Sequence, residues 1–327
     1  MSQTNPSFKM PAEGITRLSQ FALISASGAD ATRFLHSQLT NDIQSLANNH
    51  ACLAGYCTPK GRLLATSIAW KIDDSVTLEV PAELQENLQK RLQMYVMRSK
   101  VKLESNAGID CILGIFGENA AMKLAEWFPS LPLSPYELVN NNFGVLLRLA
   151  DVGDVKRYQW IAPLGLMDTV YSSLSKLIPV LPESAWALSD IHGGIPQVQI
   201  STQEKFVPQM INYELIGGVN FKKGCYPGQE IVARSHYLGK QKRRMVLASI
   251  NSNSVQSGMD VFSGTDSSEP CGMIVNAAPN AHGGSDCLIE IKTNYLQNAT
   301  VQLGTGEVFH WLNLPYALPN DADKITS

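Results

Sequence analysis

The chain has 327 residues, of which 44% are hydrophobic and 17% charged, and its formal net charge is −3. These values are typical of a globular protein with more than one domain, and they exclude a disordered or fibrous chain. The net charge favours neither nucleic acid nor an anionic membrane as a partner. Apolar runs such as 111–116 are far shorter than the ~20 residues of a membrane span, and the N-terminal segment lacks a signal-peptide pattern. We therefore expect a cytoplasmic protein.

The N-terminal part begins with a strand, a helix and a hairpin. Residues 21–27 read as a strand, and Asp30 can cap a helix whose buried face would hold Ala31, Phe34, Leu35 and Gln38. Residues 51–58 and 62–70 are strands joined by a turn in which Pro59 sets the first position and Gly61 closes it. This pattern predicts a β-hairpin.

A further strand, helix and strand complete this first pass. Residues 75–80 alternate as a strand, and Pro81 then stands at the start of a helix. The helix is indicated by apolar residues at every fourth position, namely Leu84, Leu88, Leu92 and Val96. Residues 100–104 return to a strand. The order is therefore β-α-β-β-β-α-β.

A second pass of similar order follows from about residue 110. It consists of a strand, a helix, two strands and a helix, at residues 110–117, 118–128, 143–150, 157–163 and 164–177. The two passes repeat in architecture and not in sequence. Each matches the split β-α-β unit of a ferredoxin-like layer, in which helices cover one face of an antiparallel sheet. The fold class is therefore predicted to be α+β.

The sequence pattern changes after residue 240. Short strand candidates recur at intervals of about 10–15 residues between Ser, Asn and Gly clusters, which is typical of a small β-barrel or sandwich. We expect a separate C-terminal β-domain. The predicted boundaries are residues 1–108 for a first lobe, 109–238 for a second lobe and 239–327 for the β-domain.

The cysteines and histidines do not predict a metal site. The chain has six of each, and they form no Cys-x-x-Cys pair and no His-x-x-x-His or Cys-x-x-His pair. Cys111 and Cys287 lie inside apolar strand-like runs, so we expect both in the core. No metal is predicted.

One segment concentrates the positive charge. Residues 221–244 carry seven cations and one anion, which leaves the rest of the chain at −9. Such a segment favours an anionic ligand or an RNA backbone. The alternative interpretation is a solvated turn before a strand.

The signature segment, "KKGCYPGQE" at residues 222–230, places a single thiol inside this basic region. Pro227 has the φ suited to a first helical position, and we expect Gln229 and Glu230 to open a helix over residues 229–236. A cysteine at a helix N-terminus beside Lys222 and Lys223 lies in positive potential, which favours the reactive thiolate. Cys225 is thus a candidate functional thiol. The residues alone assign it no histidine or acid partner.

The signature segment also resembles the K-G-C-Y-x-G-Q-E motif of the YgfZ family, folate-binding proteins related to the T-protein (aminomethyltransferase) of the glycine cleavage system. The resemblance extends to residues 27–43, and to residues 193–196 and 206–225, which lead into the motif. It implies a three-lobed fold with two ferredoxin-like folate-binding lobes and a small C-terminal β-barrel. It also implies tetrahydrofolate or a derivative as ligand, and a role in making or repairing iron–sulfur enzymes, including tRNA methylthiotransferases.

The same resemblance suggests site residues. Phe21 and Trp186 occupy the positions of the family's folate-contacting aromatic residues, although Phe21 lacks an indole N–H. Trp186 can also be read as a core residue of an amphipathic helix. Further folate contacts are expected within the motif and just after it, at Lys223, Tyr226, Gln229, Glu230 and Arg234. A pterin stacks on aromatic rings, and the glutamate tail of folate favours Lys or Arg.

One departure from the T-protein argues against its reaction. Aminomethyltransferases carry an aspartate after the corresponding hairpin turn, where this chain has Leu63, Leu64 and Ala65. A positioned proton-transfer group contributes ~10²–10⁴-fold to a rate, so aminomethyl transfer is disfavoured. The leading hypothesis is a folate-binding accessory protein. The alternatives are a folate-dependent one-carbon transferase with Cys225 as nucleophile, and a tRNA binder that contacts phosphates through Lys240, Lys242, Arg243 and Arg244.

Overall fold

The computed structural model describes residues 10–105, 110–238, 241–296 and 300–319. The first range contains β1 (Gly14–Arg17), β2 (Phe21–Ser27), α1 (Ala31–Gln38), β3 (Ala51–Cys57), β4 (Leu63–Ile72), β5 (Ser75–Pro81), α2 (Ala82–Val96) and β6 (Lys102–Ser105). Every element predicted for this part is present, with the predicted buried faces on both helices. Asp30 lies at the N-cap of α1, but its carboxylate instead accepts a 2.8 Å hydrogen bond from the backbone N–H of Lys100.

The second range begins with β7 (Asp110–Phe116), α3 (Glu118–Met122), β8 (Leu138–Asn141), β9 (Gly144–Val152), β10 (Val155–Pro163), α4 (Leu164–Leu174) and α5 (Glu183–His192). The helix predicted over 118–128 ends at Met122. Beyond it the backbone forms tighter single turns, in which the N–H of Leu124 donates to the carbonyl of Ala121 at 2.9 Å. These turns bury Leu124 and Phe128 in the core.

The remaining elements follow α5. Two 3₁₀ turns (Ile200–Thr202 and Pro208–Ile211) lead to α6 (Gln229–Leu238), and the C-terminal part contains β11 (Arg243–Ile250), β12 (Asp260–Ser263), β13 (Gly272–Pro279), β14 (Ser285–Lys292), a 3₁₀ turn (Thr293–Tyr295), β15 (Val301–Leu303) and β16 (Phe309–Leu312). The short strands predicted here are present. Strands β1, β8 and β16 were not predicted.

The strands form three antiparallel sheets. Their orders are β3-β4-β5-β2-β6, β1-β7-β10-β9-β8 and β15-β12-β13-β14-β11-β16. β1 pairs with β7, with Gly14 opposite Phe116. β1 is therefore an edge strand of the second sheet, in the position that corresponds to β6 in the first sheet. The protein is therefore a mixed α/β protein with an N-terminal strand in its second sheet.

Both faces of the first sheet are buried. On one face α1 and α2 cover Leu78 and its neighbours. On the other, Leu23 and Trp70 share a hydrophobic cluster with Phe116 and Leu147 of the second sheet. Side chains of the two sheets thus face each other, and the candidate site lies between them.

Candidate functional site

A pocket opens between the first sheet, the second sheet and α5. It contains about 490 Å³ of empty space, including its open mouth. Strand β4 contributes Thr66 and Ser67, strand β5 contributes Glu79, strand β10 contributes Gln159, and α5 contributes Trp186. A pocket that combines apolar walls with a few polar groups has the lining typical of a small-molecule site.

Phe21 and Trp186 both line this pocket, although they are far apart in sequence. The Trp186 side chain is fully buried, with its ring centroid 5.1 Å from that of Phe116. Its ring also packs on Gly114, where an added Cβ would come within 2.6 Å of the indole. Phe21 is half-buried at the start of β2. Trp186 is therefore at once a core residue and a pocket wall, so the two interpretations of its sequence position are compatible.

Glu79 and Gln159 form the polar end of the pocket. Gln159 Nε2 donates a 3.0 Å hydrogen bond to Glu79 Oε1. Among the described residues, neither Glu79 Oε2 nor Gln159 Oε1 has a hydrogen-bond partner, and both atoms are buried. Burial raises the pKa of Glu79 to about 8, so the carboxyl group is mostly protonated at neutral pH and offers a donor as well as acceptors.

Sequence reasoning missed Glu79. The alternating pattern of residues 75–80 predicts that Glu79 faces solvent on a half-buried strand. The structure instead leaves only 2% of Glu79 exposed, because the second sheet covers that face. A charged residue in an otherwise apolar strand becomes a signal only when the strand is known to be covered on both sides.

Asp190 on α5 also lines the pocket, but its partners are within the protein. Its Oδ1 accepts a 2.6 Å hydrogen bond from the fully buried Arg157, and its Oδ2 accepts one of 2.9 Å from Gln197. Burial raises the pKa of Asp190, although Arg157 opposes the shift. This ion pair fixes α5, and with it Trp186, against β10.

The signature segment lies away from the pocket and holds other parts of the chain. Lys223 Nζ donates to the carbonyl oxygens of His36 and Leu39 at the end of α1, the second at 2.7 Å. Burial lowers the pKa of Lys223 to about 8. Tyr226 is buried, with the Lys223 ammonium 5.0 Å from its ring centroid. A cation that bonds the last carbonyls of a helix stabilises that helix end.

The helix predicted to open with Gln229 and Glu230 is present and begins at Gln229, but Pro227 is not part of it. The reason is Gly228, whose φ of +81° is left-handed and separates Pro227 from the helix. Gly228 packs directly on the β3–β4 hairpin turn, where an added Cβ would come within 2.6 Å of Gly61. Cys225 is therefore an exposed loop residue before α6 and does not lie at its first turn.

The structure places His36 beside the thiol loop. Its Nδ1 lies 3.1 Å from Asp42 Oδ1, and a Cβ built on Gly224 would lie 3.6 Å from its Nε2. Burial, followed by the charge of Lys223, lowers the pKa of His36, against the opposing effect of Asp42. Sequence reasoning assigned Cys225 no such neighbour, because a side chain on α1 and one in the later loop meet only in the fold.

The other predicted folate contacts of the motif lie outside the pocket. Gln229 donates a 3.4 Å hydrogen bond to the Lys223 carbonyl, whereas Glu230 and Arg234 are exposed on α6. None of the motif residues is among the described residues that line the pocket. The fold brings Phe21 and Trp186 together and leaves the motif side chains elsewhere. The folate role of the motif residues stays a prediction.

The predicted phosphate contact needs a correction. Arg243 forms two hydrogen bonds with Glu290, at 2.9 and 2.7 Å, and Arg244 is buried with a 2.6 Å ion pair to Glu214. Arg244 is therefore enclosed in the protein and is not placed to bind RNA, whereas Arg243 is partly exposed but already paired with a carboxylate. Lys242 is exposed, and Lys240 lies outside the described residues.

The cysteines follow the core prediction in part. All six are reduced; Cys287 is buried as predicted, whereas Cys111 is partly exposed. Among the described residues, no group of three or more His, Cys, Asp or Glu side chains is placed to hold a metal ion. No helix within the described ranges has the length and apolarity needed to span a membrane.

No protein-family model matches the chain. It is, however, similar to individual proteins that share one name. The tRNA-modifying protein YgfZ of Edwardsiella ictaluri (strain 93-146) is 30% identical over 239 residues, which cover 71% of this chain and 69% of the relative. The YgfZ protein of Aliivibrio fischeri (strain MJ11) is 28% identical over 322 residues, with 97% and 96% covered.

A solved structure identifies the fold. The glycine cleavage system aminomethyltransferase T from Bartonella henselae superposes with a TM-score of 0.74 over 94% of this chain and 86% of that one, at 14% sequence identity. At this identity the likeness concerns the fold and not the activity. The chain has the fold of that aminomethyltransferase.

Proposed function

The chain belongs to the YgfZ family of tRNA-modifying proteins, and on that premise we propose that it is a cytoplasmic, folate-binding accessory protein that supports tRNA modification. The proposed ligand is tetrahydrofolate or a derivative. The proposed cellular role is the assembly or repair of iron–sulfur enzymes, among them the tRNA methylthiotransferases. The pocket between the two sheets supports the ligand, and the YgfZ relatives support the role in tRNA modification.

The observation that carries the proposal is the pair of unpartnered polar atoms at the buried end of the pocket. A pterin is a flat heterocycle with N–H donors and acceptor atoms along one edge. Phe21 and the buried Trp186 line the apolar wall of the pocket, while Glu79 Oε2 and Gln159 Oε1 are hydrogen-bonding atoms without a partner that a ligand would satisfy. When bound, tetrahydrofolate supplies the chemistry of one-carbon carriage; the residues here bind and orient its ring.

The pocket mouth suggests where the glutamate tail goes. An adjoining recess shares Pro81 and Gln197 with the pocket and is lined by Glu83 and Glu183. No lysine or arginine is among the described residues that line either space, so the expected cation for the tail is not found there. The tail therefore points to solvent in this proposal, and added glutamates contribute little to affinity.

We also propose that the chain folds as two ferredoxin-like lobes followed by a small barrel. The two five-stranded sheets have matching strand orders, with β1 in the position of β6, which supports two ferredoxin-like lobes. In the C-terminal sheet, Gln302 of one edge strand forms a bridge with Val308, just before the other edge strand. This approach of the two edges supports a small barrel over 239–327, after lobes at 1–108 and 109–238.

The accessory role is favoured over a one-carbon transferase that uses Cys225 as nucleophile. Cys225 is exposed and is not among the residues that line the pocket. A nucleophile must reach the reacting carbon, and a folate held in this pocket places no carbon against that thiol. Leu63, Leu64 and Ala65 are buried apolar residues, so they supply no proton-transfer group either.

Ligand binding is tested by titrating the purified chain with 5-formyltetrahydrofolate and following tryptophan fluorescence. We expect saturable binding at one site. Gln159→Leu should weaken the affinity about tenfold, because it leaves polar ligand atoms without a partner. Glu104→Gln, on the exposed part of β6, is the matched control and should bind as wild type. Absence of saturable binding by the folded wild-type chain would refute the folate proposal.

The cellular role is tested by complementation of a strain that lacks the gene. Wild type should restore thiomethylated tRNA nucleosides, measured by mass spectrometry of digested tRNA. We expect Cys225→Ala to fold normally, bind folate normally and yet fail to restore these nucleosides. Full restoration by Cys225→Ala would leave the signature segment with a structural role only.

A further inference from the structure

An aromatic cluster lies on the surface formed by α6 and the start of the signature segment. The rings of Phe221 and His236 stack with centroids 3.8 Å apart and an interplanar angle of 15°. Tyr237 meets both rings edge to face, at 6.0 Å from Phe221 and 4.9 Å from His236. The Tyr237 side chain is nevertheless 65% exposed, so the pair below holds the ring in place while much of it stays open to solvent.

Exposed cations lie close to this cluster along the chain. Arg234 lies one turn before Tyr237 on α6, and Lys222 directly follows Phe221; both are exposed. Lys242, also exposed, lies just before β11. Within the described ranges, no carboxylate forms an ion pair with any of these three cations, whereas Arg243 and Arg244 are both paired.

We propose that this surface, made of Phe221, His236, Tyr237, Lys222 and Arg234, binds an unpaired stretch of RNA. A base would stack on the exposed Tyr237 ring, and the flanking phosphates would contact Arg234 and Lys222. This inference rests on the proposed role in tRNA modification and names the surface that meets the RNA. It replaces the phosphate contact predicted at Arg243 and Arg244.

The combination of groups favours RNA over a protein partner. Single-stranded nucleic acid is bound by aromatic platforms that stack bases, set within positive surface that follows the backbone. A rigidly supported tyrosine ring beside uncompensated cations has both features. The rest of the chain outside residues 221–244 is acidic, at −9 from a total of −3, and would steer a polyanion towards this face.

The test is fluorescence anisotropy with two labelled probes, an unstructured RNA of about 12 nucleotides and an unmodified tRNA transcript. Tyr237→Ala should weaken binding of the unstructured RNA about tenfold, whereas Tyr237→Phe should bind as wild type because the ring remains. Arg234→Ala should lower the slope of log affinity against log salt by about 0.7. Tyr95→Ala and Arg98→Ala are matched controls, since both residues are exposed at the end of α2.

Several outcomes would overturn the inference. One is the absence of RNA binding at low salt with either probe. Another is binding that Tyr237→Ala and Arg234→Ala leave unchanged, or that the α2 controls weaken equally. Titration of each variant with 5-formyltetrahydrofolate separates this inference from the folate proposal, because the aromatic surface does not line the pocket. Loss of RNA binding with intact folate binding supports the inference.

Discussion

The signature segment and the pocket use their buried side chains in opposite ways. In the signature segment, Lys223 satisfies two carbonyl oxygens of the α1 end, and Gly228 fits against the hairpin turn. In the pocket, Glu79 and Gln159 keep buried oxygen atoms without a partner among the described residues. Polar groups satisfied within the protein indicate a structural role, whereas the unpartnered atoms of Glu79 and Gln159 lie in a pocket where a ligand would satisfy them. The signature segment therefore has a largely structural role, since it connects the end of α1 with the β3–β4 hairpin turn.

The largest effect that we expect from a variant that tests this comparison is on the free energy of unfolding. Trp186→Ala should lower the free energy of unfolding by about 3–5 kcal/mol, because it empties a fully buried site beneath Phe116 and Arg157. Trp186→Phe should cost much less. Cys225→Ala, an exposed truncation, should change stability by less than about 0.5 kcal/mol. Urea unfolding of the three variants measures this, and a mild effect of Trp186→Ala would show that the helix repacks.

The next largest effect concerns pH. The folded pKa of Glu79 is about 8, above its ordinary 4.5, so the unfolded chain ionises first as pH rises. The contribution of Glu79 to the free energy of unfolding is therefore greatest below about pH 4.5. It decreases as the pH rises to about 8, by an amount on the order of a few kcal/mol. Glu79→Gln should flatten this decline. Unfolding curves from pH 5 to 9 test it, and a parallel decline in the variant would contradict the assignment.

A smaller effect separates the two lysines of the signature segment. Lys223→Ala removes two hydrogen bonds to the end of α1 and should destabilise the fold by about 1–3 kcal/mol. Lys222→Ala, at an exposed position, should change stability by no more than about 0.5 kcal/mol. Chemical denaturation compares them directly. Equal effects would mean that the hydrogen bonds of Lys223 to the end of α1 do not stabilise the fold.

The smallest effect is on thiol reactivity. Cys225 should alkylate fastest of the six cysteines near neutral pH, because it is exposed while burial raises the pKa of Cys52 and Cys57 to about 12. Lys222→Ala should slow its labelling by about twofold or less, since an exposed charge acts weakly. Mass spectrometry after brief iodoacetamide treatment gives the order. Earlier labelling of Cys52, Cys57 or Cys271 would end the interpretation of Cys225 as the reactive thiol.

The sequence predicted regular elements well where local pattern decides them. β2, the buried faces of α1 and α2, and the β3–β4 hairpin follow from periodicity and turn residues. β1 did not, because its pairing with β7 is decided by a contact between distant parts of the chain. The start of α6 at Gln229 also follows from local pattern, whereas the packing of Gly228 on the hairpin turn joins distant parts of the chain and was not predicted.

The site was predictable only in part for a similar reason. Phe21 and Trp186 were suggested by resemblance, and both line the pocket. Glu79 was hidden by its own strand pattern, since alternation implies a solvent face that the second sheet covers. The aromatic surface of Phe221, His236 and Tyr237 was hidden because the first ring precedes α6 by eight residues and stacks only after the loop folds back.

The comparison between pocket and signature segment is tested most directly by one titration of three proteins. Wild type, Glu79→Leu and Cys225→Ala are titrated with 5-formyltetrahydrofolate at pH 7, after each is shown to be folded by circular dichroism. We predict that Glu79→Leu weakens binding by about tenfold or more, while Cys225→Ala binds as wild type. Unchanged binding by Glu79→Leu together with loss in Cys225→Ala would place the folate at the signature segment and contradict the account.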